Sequence, residues 1–330
     1  MQYTTLGKTG LRVSVAGLGC GGNSRIGLGT GKTEAESIAL VRAALDLGIT
    51  YFDTAEVYGT EPILGKAIVP HERLKVVIST KGRIRKGGDP LPVADVIASL
   101  DKSLRNLNTD FIDAYLLHGV PPELLDYARE QVFPALLKEK DKGKIRHIGI
   151  TETAANDPDH AMLDRALNDP VWEVVMFAFH LMNQNARQII FPRTRNGGAG
   201  TLLMFVVRNI FSKPVVLAET LSALAAAGTL PAALSDDPDP LGFLVHDGGA
   251  ASLLDAAYRF ARHELGSDVV LFGTSSIAHM HSNVASILAP PLPAADLTRL
   301  NELFGHLTGV GLDAPDYIKA DRSRWAGTKG

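Results

Sequence analysis

The chain has 330 residues, 45% hydrophobic and 21% charged, a profile that excludes disordered, collagenous and coiled-coil proteins and suits a large unstapled core. Lys and Arg total 33 against 36 Asp and Glu, so there is no electrostatic footprint for nucleic acid or an anionic membrane. One cysteine, Cys20, rules out an internal disulfide, and with no leader-like or bilayer-length apolar run the expected location is the cytoplasm.

Short apolar runs alternate with stretches of helical period along the whole chain. Residues 1–12 read as a hairpin, and 13–20 as the first strand. Thr33-Glu34-Ala35-Glu36 reads as a capping box opening a helix that closes at Gly48. Strand-like runs follow at 49–53, 76–81 and 111–118, each leading into a helix, at 61–68, 93–107 and 122–142. The fifth run, 145–151, precedes a helix at 161–168, and the sixth, 174–179, has a less regular sequel. The seventh, 202–207, leads to a helix at 214–227, and the eighth, 269–272, to one at 277–288. Extra helices are expected at 250–265 and 293–307, before an irregular tail. Eight strand–helix units without a linker predict one domain over 1–330. The predicted architecture is an α/β fold, a (β/α)8 TIM barrel with an N-terminal β-hairpin and extra helices near the C-terminus. A doubly wound sheet is the alternative that alternation alone leaves open.

Two phosphate-binding motifs near the start are decoys. Gly17-Leu18-Gly19-Cys20-Gly21-Gly22 fits G-x-G-x-x-G, but the third glycine should open a helix, and here the helix waits until about Thr33. Gly27-Leu28-Gly29-Thr30-Gly31-Lys32-Thr33 approaches a P-loop, yet Ile26 stands where its first glycine belongs. It reads as a loop over the barrel mouth.

The strand ends carry the chemistry. Run two ends in Asp53, run three in Lys81 and run four in His118, and Tyr58 lies five residues past Asp53. Every strand of a parallel barrel ends at one mouth, so these four groups should converge there. Ionisable groups brought together below the surface must pair. Asp53 pairs with Lys81, whose ammonium then faces the Tyr58 hydroxyl and draws its pKa down from about 10 toward the range of a general acid. His118 is placed to hold a substrate carbonyl.

Asp53-Thr54-Ala55-Glu56-Val57-Tyr58-Gly59, Ser79-Thr80-Lys81-Gly82 and Asp113-Ala114-Tyr115-Leu116-Leu117-His118 resemble signature segments of the aldo-keto reductase superfamily. Gly143–Thr151 is similar to its strand-five segment, and Gly273-Thr274-Ser275-Ser276 with Asn283 to its cofactor segment. The resemblance runs from about Tyr3 to Leu307. It implies NAD(P)(H)-dependent interconversion of an aldehyde or ketone, or of a sugar, with its alcohol. Tyr58 would then be the acid or base, helped by Lys81, Asp53 and His118. An NAD-dependent sugar or polyol dehydrogenase is the alternative within that class, and a cofactor-sensing regulatory barrel the alternative outside it.

The cofactor contacts implied by the resemblance are Gly21, Asp53, Thr151, Glu152, Met176, Met204, Arg208, Gly273, Thr274, Ser275, Ser276, His279 and Asn283. Several depart from the family pattern. Thr151, Glu152 and Met176 replace a Ser-Asn pair and a Gln, and Met204 stands where a stacking Tyr is usual. Arg208 can hold a pyrophosphate or a substrate carboxylate, or form a salt bridge to a loop acid. Gly273 and His279 replace the basic residues that favour a 2′-phosphate, which leaves NADP(H) only narrowly ahead of NAD(H). His279 and His281 diverge on a helix, so no metal site is expected. Phe179, His180 and Asn183 are candidates for the substrate wall, and Tyr317 and Trp325 for a lid or an oligomer interface. Cys20 and Trp172 are expected to pack.

Overall fold

In the computed structural model, which describes residues 1–313, the alternating runs close into a barrel. Strands β1 (Tyr3–Thr5) and β2 (Arg12–Ser14) pair as the antiparallel hairpin. Strands β3 (Ala16–Gly19), β4 (Tyr51–Asp53) and β5 (Val77–Gly82) follow, and then a small ribbon of β6 (Arg85–Lys86) and β7 (Asp89–Pro90). Strands β8 (Ile112–Leu117), β9 (Ile145–Thr151), β10 (Val174–Ala178), β11 (Gly200–Met204) and β12 (Val269–Phe272) complete the parallel ring, in which β12 pairs with β3.

The period-2 alternation sets what faces inward. Tyr51, Val77, Leu116, Val174, Met176 and Leu202 belong to the inner core, whereas Phe52, Ile78, Leu117 and Phe177 pack outward under the helices. Leu6 and Val13 of the hairpin join the inner core and stopper the end of the barrel opposite the mouth. Gly17 leaves no room for a side chain in the interior, since a Cβ there would sit 2.7 Å from Leu271 and 2.8 Å from Val269. The first apolar run, read as one strand, is two. Ser14 and Thr50 exchange backbone-to-hydroxyl bonds at 2.9 and 3.0 Å, which joins the hairpin to β4 and lets β3 restart inside the ring.

The capping box forms as read, with Thr33 and Glu36 each bonding the other's backbone at the start of the helix Glu34–Asp46. The helix expected over 122–142 is broken. Short 3-10 and π turns precede Phe133–Asp141, because Pro134 has no N–H and its ring crowds the carbonyl four residues back. The seventh strand ends at Met204, three residues earlier than expected, because Phe205 takes a φ of +64° and turns the chain into the mouth. The helix Phe191–Gly197 was not legible, since one apolar residue followed by polar ones shows no period. Tyr317 and Trp325 lie outside the described residues. Among the described residues no helix is long and apolar enough to cross a membrane.

Candidate active site

Adjacent strand ends bring the four predicted groups together. β4 carries Asp53 and β5 carries Lys81 on the inward face, and the salt bridge between them is 2.7 Å long with both side chains buried. Lys81 Nζ donates to both Asp53 carboxylate oxygens at 2.7 Å and to the Thr54 carbonyl at 2.8 Å. Ser79 Oγ donates to Asp53 Oδ1 at 2.7 Å. Tyr58, on a 3-10 turn after β4, points its hydroxyl at His118 Nε2, 3.4 Å away, with the two rings edge to face. The turn places Tyr58 against Gly21, where a Cβ would lie 2.5 Å from the phenol ring. Only glycine admits the tyrosine there.

The electrostatics differ from the sequence expectation in one respect. A lysine ammonium has three donor hydrogens, and all three of Lys81's are spent on Asp53 and Thr54. Its Nζ stands 5.2 Å from the centroid of the Tyr58 ring and does not bond the hydroxyl. Burial, reinforced by the Asp53 carboxylate, therefore pushes the Tyr58 phenol well above its ordinary value rather than below it. The phenol is held protonated. His118 moves the other way, lowered to about 3 by burial first and then by the Lys81 and Arg83 charges, so it is a neutral imidazole.

Asp53 and Tyr58 form one end of a cavity of about 550 Å³ that runs to the helix Ile277–Leu288. Gly21, Met176, Met204, Arg208, Gly273, Thr274, His279 and Asn283 all line it. Ser24, Ser252, Tyr258, Ser282 and Ser286 line it as well and were not anticipated. Ser286 lies three residues past Asn283 and seven past His279, so helical period could have found it. Nothing in the sequence marks Ser252 or Tyr258.

Four predicted contacts do not line the cavity. Thr151 turns its hydroxyl to the Gly119 backbone N–H at 2.7 Å, bracing the loop that follows His118. Glu152 is buried behind the strands with both oxygens engaged. Oε1 accepts the Ala178 N–H at 2.9 Å, and Oε2 meets His160 Nδ1 at 2.6 Å. Asn185 donates its amide to the Pro158 carbonyl, so its oxygen is left to accept from His160 Nε2 at 3.0 Å. Nε2 thus donates, and His160 Nδ1 and Glu152 Oε2 hold a proton between them as a buried pair. Burial raises the Glu152 carboxyl and opposes the His160 charge, while the Glu152 carboxylate raises the His160 pKa above its ordinary value. Ser275 stays outside the lining, and Ser276 caps the helix by accepting the His279 N–H.

The proposed substrate wall is also elsewhere. Phe179 stacks on Phe260 and meets Phe191 in the outer core. His180 and Asn183 bridge each other and support the segment around Gly309 and Gly311. Cys20 is buried, and its thiol is raised by burial and by Asp53, so it packs. Trp172 packs edge to face on Phe133. Among the described residues no group of His, Cys, Asp or Glu is arranged to hold a metal.

The cavity suits a dinucleotide, since its volume is typical of cofactor sites and Met176 and Met204 offer soft apolar surface beside the Tyr58 end. Arg208 Nε is buried without a hydrogen-bond partner among the described residues, an orphaned donor of the kind an anionic group satisfies.

The aldo/keto reductase family model matches residues 17–304. L-galactose dehydrogenase of Arabidopsis thaliana is 30% identical over 318 residues, covering 92% of this chain and 93% of that protein. The apo and holo structures of aldo-keto reductase AKR11C1 from Bacillus halodurans align at 23% identity with a TM-score of 0.68, over 95% of this chain and all of theirs. The chain therefore belongs to the aldo/keto reductase family and is an NAD(P)-dependent oxidoreductase acting between carbonyl and alcohol.

Proposed function

We propose that the enzyme reduces an aldehyde or ketone, or runs the reverse oxidation of an alcohol or sugar, with Tyr58 as the proton donor or acceptor. The observation that carries this reading is the Tyr58 phenol on the cavity wall, its hydroxyl 3.4 Å from His118 Nε2 and its pKa raised by burial. Hydride would come from, or go to, a nicotinamide held beside Met176 and Met204. His118 Nε2 and the Tyr58 hydroxyl, 3.4 Å apart, form a two-point seat for one carbonyl oxygen, and Tyr58 delivers the proton as negative charge develops there. The Lys81–Asp53 pair keeps the floor neutral and fixes the strand ends on which both groups depend.

Met176 and Met204 would pack on the nicotinamide, Thr274 and Asn283 would bond the far half of the dinucleotide, and Arg208 would meet its diphosphate. Only Arg208 and His279 can carry positive charge among the described lining residues. NADP(H) is nonetheless proposed ahead of NAD(H) by a narrow margin, resting on Thr274 and the N-terminus of the helix Ile277–Leu288, which can meet a phosphate. A sugar is the favoured substrate type, because the L-galactose dehydrogenase relative matches over nearly the whole chain.

Tyr58→Phe tests the assignment. Turnover of a panel of aldehydes and aldoses, followed by nicotinamide absorbance, should fall about a thousandfold. Calorimetric affinity for the cofactor should stay within about twofold of wild type. Retained turnover would remove Tyr58 from its role. Failure of the wild type to bind NADP⁺, NADPH, NAD⁺ and NADH would overturn the cofactor assignment.

A further inference from the structure

Residues 309–313 cross the barrel mouth as a strap. Gly309 N–H donates to Asn183 Oδ1 at 2.9 Å. Gly311, at a φ of +67°, passes so close to Ile210 that a Cβ would sit 2.9 Å from its side chain. Leu312 is buried against Ala154, Ala178, Met204 and Phe205. The Asp313 carboxylate accepts from Asn209 Nδ2 at 2.8 Å and pairs with Arg208 at 3.1 Å. Arg208 also donates to the Asp313 backbone carbonyl. Its guanidinium lies over the Phe205 ring, 4.2 Å from the centroid, on the residue whose positive φ turns the chain into the mouth.

Arg208 thus has two claims on it. It lines the cavity that begins at Tyr58, and it is tied from the side by an acid of the strap. The side chain is only 12% exposed, so its position is set by these partners rather than by water. Among the described residues its Nε has no partner, so Asp313 does not satisfy it fully. We infer that Asp313 competes with the cofactor's diphosphate for Arg208, so that the strap weakens cofactor binding and the Asp313–Arg208 contact must open when the cofactor enters. This rests on the dinucleotide reading of the cavity. Leu312 and Gly309 seat residues 309–312 independently of the charge pair, so the exchange involves the Asp313 contact.

The test is calorimetric binding of NADP⁺ and NAD⁺ to four full-length proteins: wild type, Asp313→Asn, Arg208→Gln and the double variant. Asp313→Asn keeps the size of the side chain and removes its charge. It should tighten cofactor binding about fivefold, the worth of a partly screened ion pair. The gain should disappear when Arg208 is already Gln, because the competition runs through that guanidinium. A purely structural role for Asp313 predicts the opposite, since loosening the mouth lowers affinity. Equal or weaker binding by Asp313→Asn, or the same gain in the Arg208→Gln background, overturns the proposal while leaving the cofactor reading intact. If no variant and no wild type binds either cofactor, both fall together. If only Asp313→Asn binds, both stand.

Discussion

Across the barrel mouth, β4, β5 and the loop after β8 present Asp53, Lys81 and His118, with Tyr58 beside them. β9, β10 and β11 present Thr151, Ala178 and Met204. On the first side the charged groups face one another inside the ring, paired at 2.7 Å and shielded from water. On the second side the buried Glu152 carboxylate turns away from the cavity to His160, and the cavity wall is thioether and backbone. The difference lies in where burial allows a charge to reside. A carboxylate at the mouth needs a cation within reach, and the interior supplies Lys81 to Asp53. Glu152 finds its partner only behind the strand, in a histidine placed by a left-handed turn at φ +56°.

Removing a charge from the first side tests that contrast most severely. Lys81→Met leaves the Asp53 carboxylate buried without its cation, and the expected loss is about 3–5 kcal/mol of stability together with most of the turnover. Thermal unfolding monitored by circular dichroism measures the first, and the carbonyl assay the second. A smaller loss of stability would mean that Asp53 takes up a proton or admits water instead of staying charged.

Gly21→Ala acts on the same side without touching a charge. The added methyl would lie 2.5 Å from Tyr58 Cε2, and the ring must move to accept it. Displacing a proton donor by about 1 Å costs on the order of a hundredfold in kcat. The melting temperature should change little, because the ring borders an open cavity that can absorb the movement. Wild-type kcat in this variant would show that Tyr58 need not stand against residue 21.

Glu152→Gln probes the second side. Its amide oxygen can still accept the Ala178 N–H, but the buried pair with His160 is lost, and the expected destabilisation is about 1–3 kcal/mol. Cofactor affinity should not move, since Glu152 does not line the cavity. A drop in cofactor affinity larger than about threefold, with stability retained, would place Glu152 at the nicotinamide after all.

The same asymmetry explains what could be read from the sequence. Asp53, Lys81 and His118 were legible because parallel strands end at a common mouth and strand parity alone points them inward. Tyr58 was legible from its spacing to Asp53. Its protonation was not, because that depends on which three acceptors consume the Lys81 hydrogens, a fact of three-dimensional contact. Thr151 and Glu152 sit at the matching strand end, but their neighbours at 119, 160 and 178 come from three other segments and redirect them. The strand count, the capping box and the ring were carried by local period. The break at Pro134 and the turn at Phe205 were not, since a single residue overrode an apolar pattern that still looked regular.

The smallest expected effect is a pH profile, and its shape separates the two sides. His118, with its pKa lowered to about 3, stays neutral where the unfolded chain's imidazole, near 6.5, gains a proton. The unfolded state therefore binds more protons, and this contribution to stability is present above about pH 6.5 and lost as the pH falls toward about 3. His180, lowered to about 3 by burial and by Arg208, acts in the same direction. His160 acts in the opposite one, because its raised pKa makes its contribution full below the unfolded value and lost as the pH climbs through the folded one. For catalysis only the Tyr58 side counts. With the phenol held protonated and His118 neutral, carbonyl reduction at saturating cofactor should be flat between about pH 5 and about pH 9, whereas alcohol oxidation should rise through that range. A reduction limb near pH 6.5 would show His118 titrating as an ordinary imidazole, with neither its burial nor the Lys81 charge strong enough to hold it neutral.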